Sequence, residues 1–138
     1  MSSVSIVSAT LVFAAGDTVL IPTGAKSHLF VAVYGSQLIG GVQKVLLVPF
    51  STVVPKCDQS CPVNIGDHSF IVRPSFMSYV HARNELLNHV AQCLVNGSYN
   101  QGYPAVSTAV LTRIQAGYSA TKRVPRTSRK NGLSRSSV

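Results

Sequence analysis

Short apolar runs recur about every dozen residues through the first half of the chain, with glycine or proline between them. Valine, isoleucine and leucine dominate these runs, a composition that is typical of β-strands. Their close spacing predicts antiparallel pairing in a small barrel or sandwich, and not alternating parallel βαβ units. The predicted strands cover residues 4–13, 18–21, 29–34, 42–48 and 69–72.

The pattern changes after Pro74. Apolar residues from 80 to 94 fall at helical spacing, which predicts a helix over residues 78–94 that stops at Asn96-Gly97. A shorter helix is predicted from Pro104 to Gly117, since proline suits a first helical turn. We therefore predict an α+β fold that is mainly β, in a single domain at residues 1–120, followed by a disordered basic tail at residues 121–138.

The charge of the chain is divided unevenly. The 138 residues include 12 Lys and Arg against 4 Asp and Glu, a net charge of +8. Six of the basic residues lie after residue 121, where there is no acidic residue, so the body of the domain is close to neutral. Such a basic segment attracts nucleic acid or acidic surfaces without choosing among them.

The cysteines and the N-terminal sequence indicate the cellular compartment of the protein. Three cysteines cannot all pair within one chain, and Cys93 falls on a predicted helix, which favours a reduced, cytoplasmic setting. The apolar stretch at residues 4–15 lacks the basic start of a signal peptide, and we interpret it as a strand. No apolar run approaches the roughly 20 residues of a membrane-spanning helix.

Most of the reactive side chains lie between residues 49 and 71. The strand at residues 42–48 leads to Ser51 and Thr52, hydroxyls that can hydrogen-bond a phosphate or a developing oxyanion. Gly66-Asp67 indicates a turn before His68. Outside this segment, His28 beside Lys26 is the best general acid or base by residue type, because the pKa of histidine lies nearest neutrality.

The same segment allows other interpretations. Cys57 and Cys61, with Asp67 and His68, supply ligand types that zinc accepts, but a second cysteine pair is missing and we predict no metal site. Cys57 and Cys61 are also close enough in sequence for a disulfide. Cys61 as a nucleophile with His68 as its base is a further alternative to ordinary packing of both residues.

The order of these elements resembles the opening of MazF/PemK-type small barrels. In that family a Gly-Asp pair leads into a strand, a loop with a basic residue follows, and a later strand ends in proline and a hydroxyl pair. The matching residues here are Gly16-Asp17, the loop at 22–28 and Pro49-Phe50-Ser51-Thr52. Further on, Gly66-Asp67-His68-x-Phe70-Ile71 is similar to a segment of small uncharacterised bacterial and phage proteins with the same barrel-like start. The resemblance extends over residues 16–120.

The resemblance implies a small antiparallel β-barrel of SH3-like type, with five or six strands over residues 4–72. MazF/PemK-type ribonucleases act on the scissile phosphate with an arginine of the first long loop and a Ser or Thr at the end of the later strand. The hydroxyl position matches Ser51 or Thr52. The arginine position falls at Lys26 to His28, where this chain has no arginine. The family also implies a homodimer and an antitoxin protein as partners.

Two hypotheses follow from the sequence. In the first, the chain is a cytoplasmic, MazF/PemK-like RNA-binding domain and a toxin-like endoribonuclease that needs neither metal nor other cofactor. Its predicted catalytic residues are His28, Ser51, Thr52 and His68, and its predicted nucleic-acid-binding residues are Lys26, Arg73, Arg83, Lys122, Arg123 and Arg126. In the second, it is a non-enzymatic, phage- or plasmid-borne module that binds a protein or nucleic acid. The missing loop arginine favours the second hypothesis, whereas clustering of His28, Thr52, Asp58 and His68 would favour the first.

Overall fold

A computed structural model describes residues 13–123. These residues form seven strands, a short 3-10 turn at Tyr79–His81 and two α-helices. The strands are β1 (Thr18–Pro22), β2 (Ser27–Ala32), β3 (Gln37–Ile39), β4 (Val42–Thr52), β5 (Pro62–Val63), β6 (Ser75–Met77) and β7 (Arg83–Leu86). The helices are α1 (Leu87–Val95) and α2 (Thr108–Ala120). The predicted strand at 4–13, except Phe13, and the tail beyond Arg123 lie outside the described residues.

Strand β4 organises the sheet. It pairs with β3 at residues 42–44, with β7 at 44–47, with β2 at 47–49 and with β6 at 50–52, always antiparallel. β1 extends the sheet from β2, and β5 extends it from β6. The antiparallel α+β prediction is therefore confirmed. Among residues 13–123 the pairing forms an open path from β1 to β5, so a closed barrel is not confirmed.

Successive side chains of β4 point to opposite faces of the sheet and pack into two hydrophobic clusters. Leu46 and Val48 belong to one cluster, which includes Ile114 of α2. Val45 and Leu47 belong to the other, which includes residues of α1 such as Val90. Because both faces of its central part are covered, residues 45–50 of β4 form a continuous apolar run and not an alternating one.

The predicted helix at residues 78–94 is wrong in its first half. Ala82 is extended, with φ −60° and ψ 146°, and residues 83–86 pair with residues 44–47 of β4 as strand β7. Only the second half, from Leu87, is helical. Pairing with β4 overrides the local helical spacing, and it moves Arg83 from a predicted helix face to the sheet.

Two further boundaries differ from the sequence prediction. Residues 69–72 form no strand and instead belong to the long loop between β5 and β6. The second helix begins at Thr108, because Ser107 caps it by accepting a hydrogen bond from the Val110 N–H at 3.2 Å. The count of seven strands exceeds the predicted five or six, and two of them, β6 and β7, lie beyond residue 72.

Helix α2 holds the long β5–β6 loop and the chain before it. Arg113 Nη2 lies 2.8 Å from Asp67 Oδ2 of that loop. At Gly117 the helix approaches so closely that an added Cβ would lie 2.8 Å from the Cβ of Cys61 and 2.9 Å from the carbonyl oxygen of Ser60. The loop that borders the cleft described below is thereby fixed to the core.

Within residues 13–123, neither helix has the length and apolar character needed to cross a bilayer.

Candidate functional site

Two adjoining cavities open where β2, β4 and the segment around β7 meet. Cavity A has a volume of about 340 Å³ and extends toward the β5–β6 loop. Cavity B has a volume of about 280 Å³ and extends toward β7. His28 and Ser51 line both cavities and therefore form the wall between them. Cavity A also contains Lys26, Thr52, Phe70 and Arg73, and cavity B contains Thr23, Phe30, His81 and Arg83.

The turn before β2 fixes the ring of His28. The Thr23 N–H donates to the Lys26 carbonyl at 2.8 Å and closes this turn. Thr23 Oγ1 lies 2.5 Å from His28 Nδ1 and 3.4 Å from the Lys26 carbonyl oxygen. If the hydroxyl hydrogen is directed at that carbonyl, His28 donates its Nδ1–H to Thr23 and Nε2 keeps its lone pair. This tautomer suits a general base.

The surroundings of His28 also favour its neutral form. Burial, followed by the nearby charges of His81, Lys26 and Arg83, lowers the pKa of His28 from its usual value. A positive charge near the ring makes its protonation unfavourable. At neutral pH the imidazole is therefore a proton acceptor.

Ser51 and Thr52 end β4, as the sequence predicted, where they pair with Phe76 and Ser75 of β6. Ser51 is half-buried and belongs to both cavities, whereas Thr52 is exposed and belongs to cavity A alone. Of these two hydroxyls, only that of Ser51 lines both cavities together with His28.

Positive charge reaches the cleft from three different segments. Lys26, in the turn before β2, and Arg73, in the β5–β6 loop, are exposed side chains of cavity A. Arg83 of β7 is half-buried in cavity B, with its guanidinium carbon 4.9 Å from the centre of the Phe30 ring. The cleft therefore offers cations on both sides of the His28–Ser51 wall.

A carboxylate behind the cleft holds Arg83. Glu85 Oε2 lies 3.3 Å from Arg83 Nη1, and the same carboxylate accepts hydrogen bonds from the Tyr99 hydroxyl at 3.1 and 3.2 Å. His89 Nε2 lies 3.7 Å from Glu85 Oε1. Burial and the neighbouring Glu85 charge raise the pKa of Tyr99 to about 12, so the phenol remains a donor. Arg83 is therefore oriented before any ligand arrives.

His81 is a site residue that the sequence analysis did not include among the catalytic candidates. It ends the 3-10 turn, is exposed and lines cavity B, with Nδ1 2.7 Å from the hydroxyl oxygen of buried Ser78. The signal was the spacing His81-x-Arg83, since the extended Ala82 carries the chain from the 3-10 turn into β7 and both side chains line cavity B. The helical interpretation of residues 78–94 hid it.

His68 lies in neither cavity. It is 7% exposed, its Nδ1 accepts a hydrogen bond from the Phe70 N–H at 3.0 Å, and its Nε2 lies 2.8 Å from the Pro104 carbonyl oxygen. Acceptance at Nδ1 places the proton on Nε2, which donates to Pro104. Both ring nitrogens are thus occupied by backbone groups, and we assign His68 a structural role.

Asp67 and Asp58 are likewise occupied away from the cleft. Burial opposes ionisation of Asp67, but the hydrogen bonds from Arg113 and the Asn64 N–H, together with the Arg113 charge, outweigh it and hold the pKa of this carboxyl below its usual value. Asp58 accepts hydrogen bonds from the hydroxyls of Ser60 and Thr121, both at 2.6 Å. Of the four residues whose clustering would favour an enzyme, only His28 and Thr52 line cavity A.

The three cysteines all carry free thiols. Burial raises the pKa of the Cys61 thiol, which opposes its use as a nucleophile. Across residues 13–123 no three His, Cys, Asp or Glu side chains are grouped to hold a metal ion.

The basic residues after α2 lie away from both cavities as far as the structure describes them. Arg123 Nη1 donates to the Lys56 carbonyl at 3.0 Å, and Lys122 is exposed. Neither residue lines cavity A or cavity B. Arg126 lies outside the described residues.

The sequence matches no protein-family model and no curated protein. The functional argument therefore depends on the residues of the cleft.

Proposed function

We propose that this chain binds RNA across cavities A and B and cleaves it, without a metal ion, as a MazF/PemK-like endoribonuclease. The observation that carries the proposal is the wall formed by His28 and Ser51, with cations in the cavity on either side. A nucleic-acid backbone presents one negative charge per nucleotide, and such charges are bound by Lys and Arg side chains. A strand crossing the wall would bring one phosphate to His28 and Ser51.

The arginine that is missing from the first loop has a spatial counterpart. Arg83 comes from β7, far along the chain, but it lines the same cavity as His28 and Ser51. Its planar guanidinium can donate two parallel hydrogen bonds to a phosphate, which a lysine at position 26 cannot. This supports phosphate binding at the wall despite the departure from the family pattern.

The residues of the wall suit transesterification by the RNA itself. His28 accepts the proton of a ribose 2′-hydroxyl, and the 2′-oxygen forms a bond to phosphorus while the bond from phosphorus to the 5′-oxygen breaks. The hydroxyl of Ser51 and the guanidinium of Arg83 donate to the non-bridging oxygens, where negative charge develops. Thr52, Lys26 and Arg73 then hold the RNA on the cavity A side. A 2′,3′-cyclic phosphate is the expected product.

The experiment compares wild type with His28→Ala on a labelled single-stranded RNA in buffer containing EDTA. General acid–base catalysis contributes about 10²–10⁴-fold, so we expect cleavage to fall by that factor. RNA binding, measured by fluorescence anisotropy, should change little because the cations remain. Lys44→Ala is the matched control, since Lys44 lines neither cavity. Equal cleavage by wild type and His28→Ala would refute the proposal.

The second candidate is a non-enzymatic module that binds RNA or another partner through the same cleft. The observation that favours it is the position of Asp58 and His68, which lie outside the cavities and leave the cleft without a carboxylate base. Expression of wild type and His28→Ala in a bacterium distinguishes the two functions. Growth arrest and RNA fragmentation that require His28 support the nuclease, whereas binding without fragmentation supports the module. An antitoxin partner and a homodimer remain predictions from the family resemblance.

A further inference from the structure

Cavity B contains two imidazole rings held in the same way. His28 Nδ1 contacts the hydroxyl of Thr23, and His81 Nδ1 contacts the hydroxyl of Ser78. Both contacts use Nδ1 and not Nε2, so in each ring Nε2 is the nitrogen that can meet a ligand. Both rings line cavity B, and the charge of His81 comes next after burial among the causes that lower the pKa of His28.

Cleavage by transesterification moves two protons. One leaves the 2′-hydroxyl, and another must reach the 5′-oxygen as its bond to phosphorus breaks. In an in-line displacement the attacking and departing oxygens lie on opposite sides of phosphorus, so a single imidazole cannot contact both. His28 can receive the first proton, and the second requires another group.

We propose that His81 is the general acid that protonates the departing 5′-oxygen, an assignment that depends on the proposed ribonuclease function. His81 enters the reaction as the imidazolium and donates its Nε2 proton to the 5′-oxygen. His28 enters as the neutral imidazole and leaves protonated. The products are a 2′,3′-cyclic phosphate and a 5′-hydroxyl end, and exchange of protons with water restores both rings.

No other side chain of cavity B fits this role as well. The hydroxyls of Thr23 and Ser51 are far weaker acids than an imidazolium, and arginine side chains do not act as proton donors in proteins because they are not deprotonated. Lys26 lines cavity A alone, on the other side of the wall. His81 is exposed, with a ring oriented by Ser78, which lets it meet a ligand and recover a proton from water.

The test uses two RNA dinucleotides that differ in the leaving group. One has the natural 5′-oxygen, and the other has sulfur at the bridging 5′ position, which departs as a thiolate without needing a proton. We expect His81→Ala to slow cleavage of the natural dinucleotide by about 10²–10⁴-fold and to leave cleavage of the sulfur-bridged dinucleotide within a few-fold of wild type. His28→Ala should slow both, because both require removal of the 2′ proton.

The pH dependence gives a second measure. Wild type should show a bell-shaped rate profile with the natural dinucleotide, and His81→Ala should lose the fall in rate on the alkaline side. His81→Gln serves as a second variant, because glutamine retains a polar group that Ser78 can contact. Thermal melting of each variant checks that it is folded.

The outcomes separate failure of the His81 assignment from failure of the ribonuclease proposal. If His81→Ala and His81→Gln slow both dinucleotides equally, His81 is not the general acid, although the ribonuclease proposal stands. The same conclusion follows if neither variant slows the natural dinucleotide. If wild type cleaves neither dinucleotide, the ribonuclease proposal fails and the role of His81 fails with it.

Discussion

The charge on His28 decides what the cleft can do, because the residue must be neutral to accept a proton. Burial comes first among the causes of its lowered pKa, followed by the charges of His81, Lys26 and Arg83. Side chains from two separate segments of the chain, the turn before β2 and residues 81–83, therefore act on one ring. The effect of any single neighbour can be measured by removing its charge.

We predict that His28 titrates below the usual histidine value of about 6.5, and that Lys26→Ala moves its pKa upward. The shift should be partial, since burial remains. NMR titration of the histidine ring protons measures it, with Lys44→Ala as the control. No change in Lys26→Ala would show that the lysine charge is screened by solvent.

The same pKa has a consequence for stability. The folded state binds a proton at His28 less readily than the unfolded chain does, so protonation favours unfolding. The contribution of His28 to the free energy of unfolding is therefore unchanged above pH 6.5 and decreases as pH falls from about 6.5 through the folded pKa.

At the scale of elements, the contact between α2 and the chain around Cys61 depends on one residue without a side chain. Gly117 leaves room for the hydroxyl of Tyr79, which donates to the Ile114 carbonyl at 2.7 Å. A Cβ at position 117 would also meet the carbonyl oxygen of Ser60 at 2.9 Å, and backbone cannot move aside cheaply.

We predict that Gly117→Ala lowers the free energy of unfolding by about 1–3 kcal/mol, the usual cost of overpacking. Alanine favours helix by about 1 kcal/mol over glycine, so a purely local effect would have the opposite sign. Urea denaturation measures the change. Thr112→Ala, on the exposed side of the same helix, should remain within about 0.5 kcal/mol of wild type. A stabilised Gly117→Ala protein would contradict the close contact.

The elements that the sequence predicted correctly are those whose local pattern agrees with their tertiary role. The run before Ser51 is apolar throughout because β4 is buried on both faces, and its hydroxyl end was therefore evident. The strand at Arg83–Leu86 was not evident from the sequence. It pairs with residues that lie about 40 positions earlier, beyond the reach of any local sequence pattern. His81 was left out of the predicted catalytic residues for that reason, although Arg83 was predicted as a nucleic-acid-binding residue. His68 was included by residue type, and its two backbone partners are visible only in three dimensions.

At the scale of the whole molecule, the basic C-terminal segment begins at an anchored point. Thr121 donates to Asp58 at 2.6 Å, and Arg123 donates to the Lys56 carbonyl at 3.0 Å. Lys56 and Asp58 belong to the loop that follows Ser51 and Thr52. A truncation that tests the basic segment should therefore end after Arg123 and leave these contacts intact.

We predict that removal of residues 124–138, which contain four of the basic residues, reduces the salt dependence of RNA binding and leaves the fold unchanged. Each engaged phosphate contributes about 0.7 to the slope of log affinity against log salt for a single strand, so the slope should fall by up to about three. Sequence preference should persist, because phosphate contacts carry no base information. Equal slopes for the full and shortened chains would show that this segment does not contact the nucleic acid.

Pairing with β4 brings the residues of the cleft together, so these residues meet in a fixed order as the chain is synthesised on the ribosome. His28 and Ser51 emerge early, but β7 pairs back onto residues 44–47 only after residue 86 has been added. Until then the nascent chain has His28 and Ser51 without the His81 and Arg83 side chains that line cavity B with them. Cavity B is thus completed late in translation, and a chain released before β7 would carry the proposed base without the proposed acid.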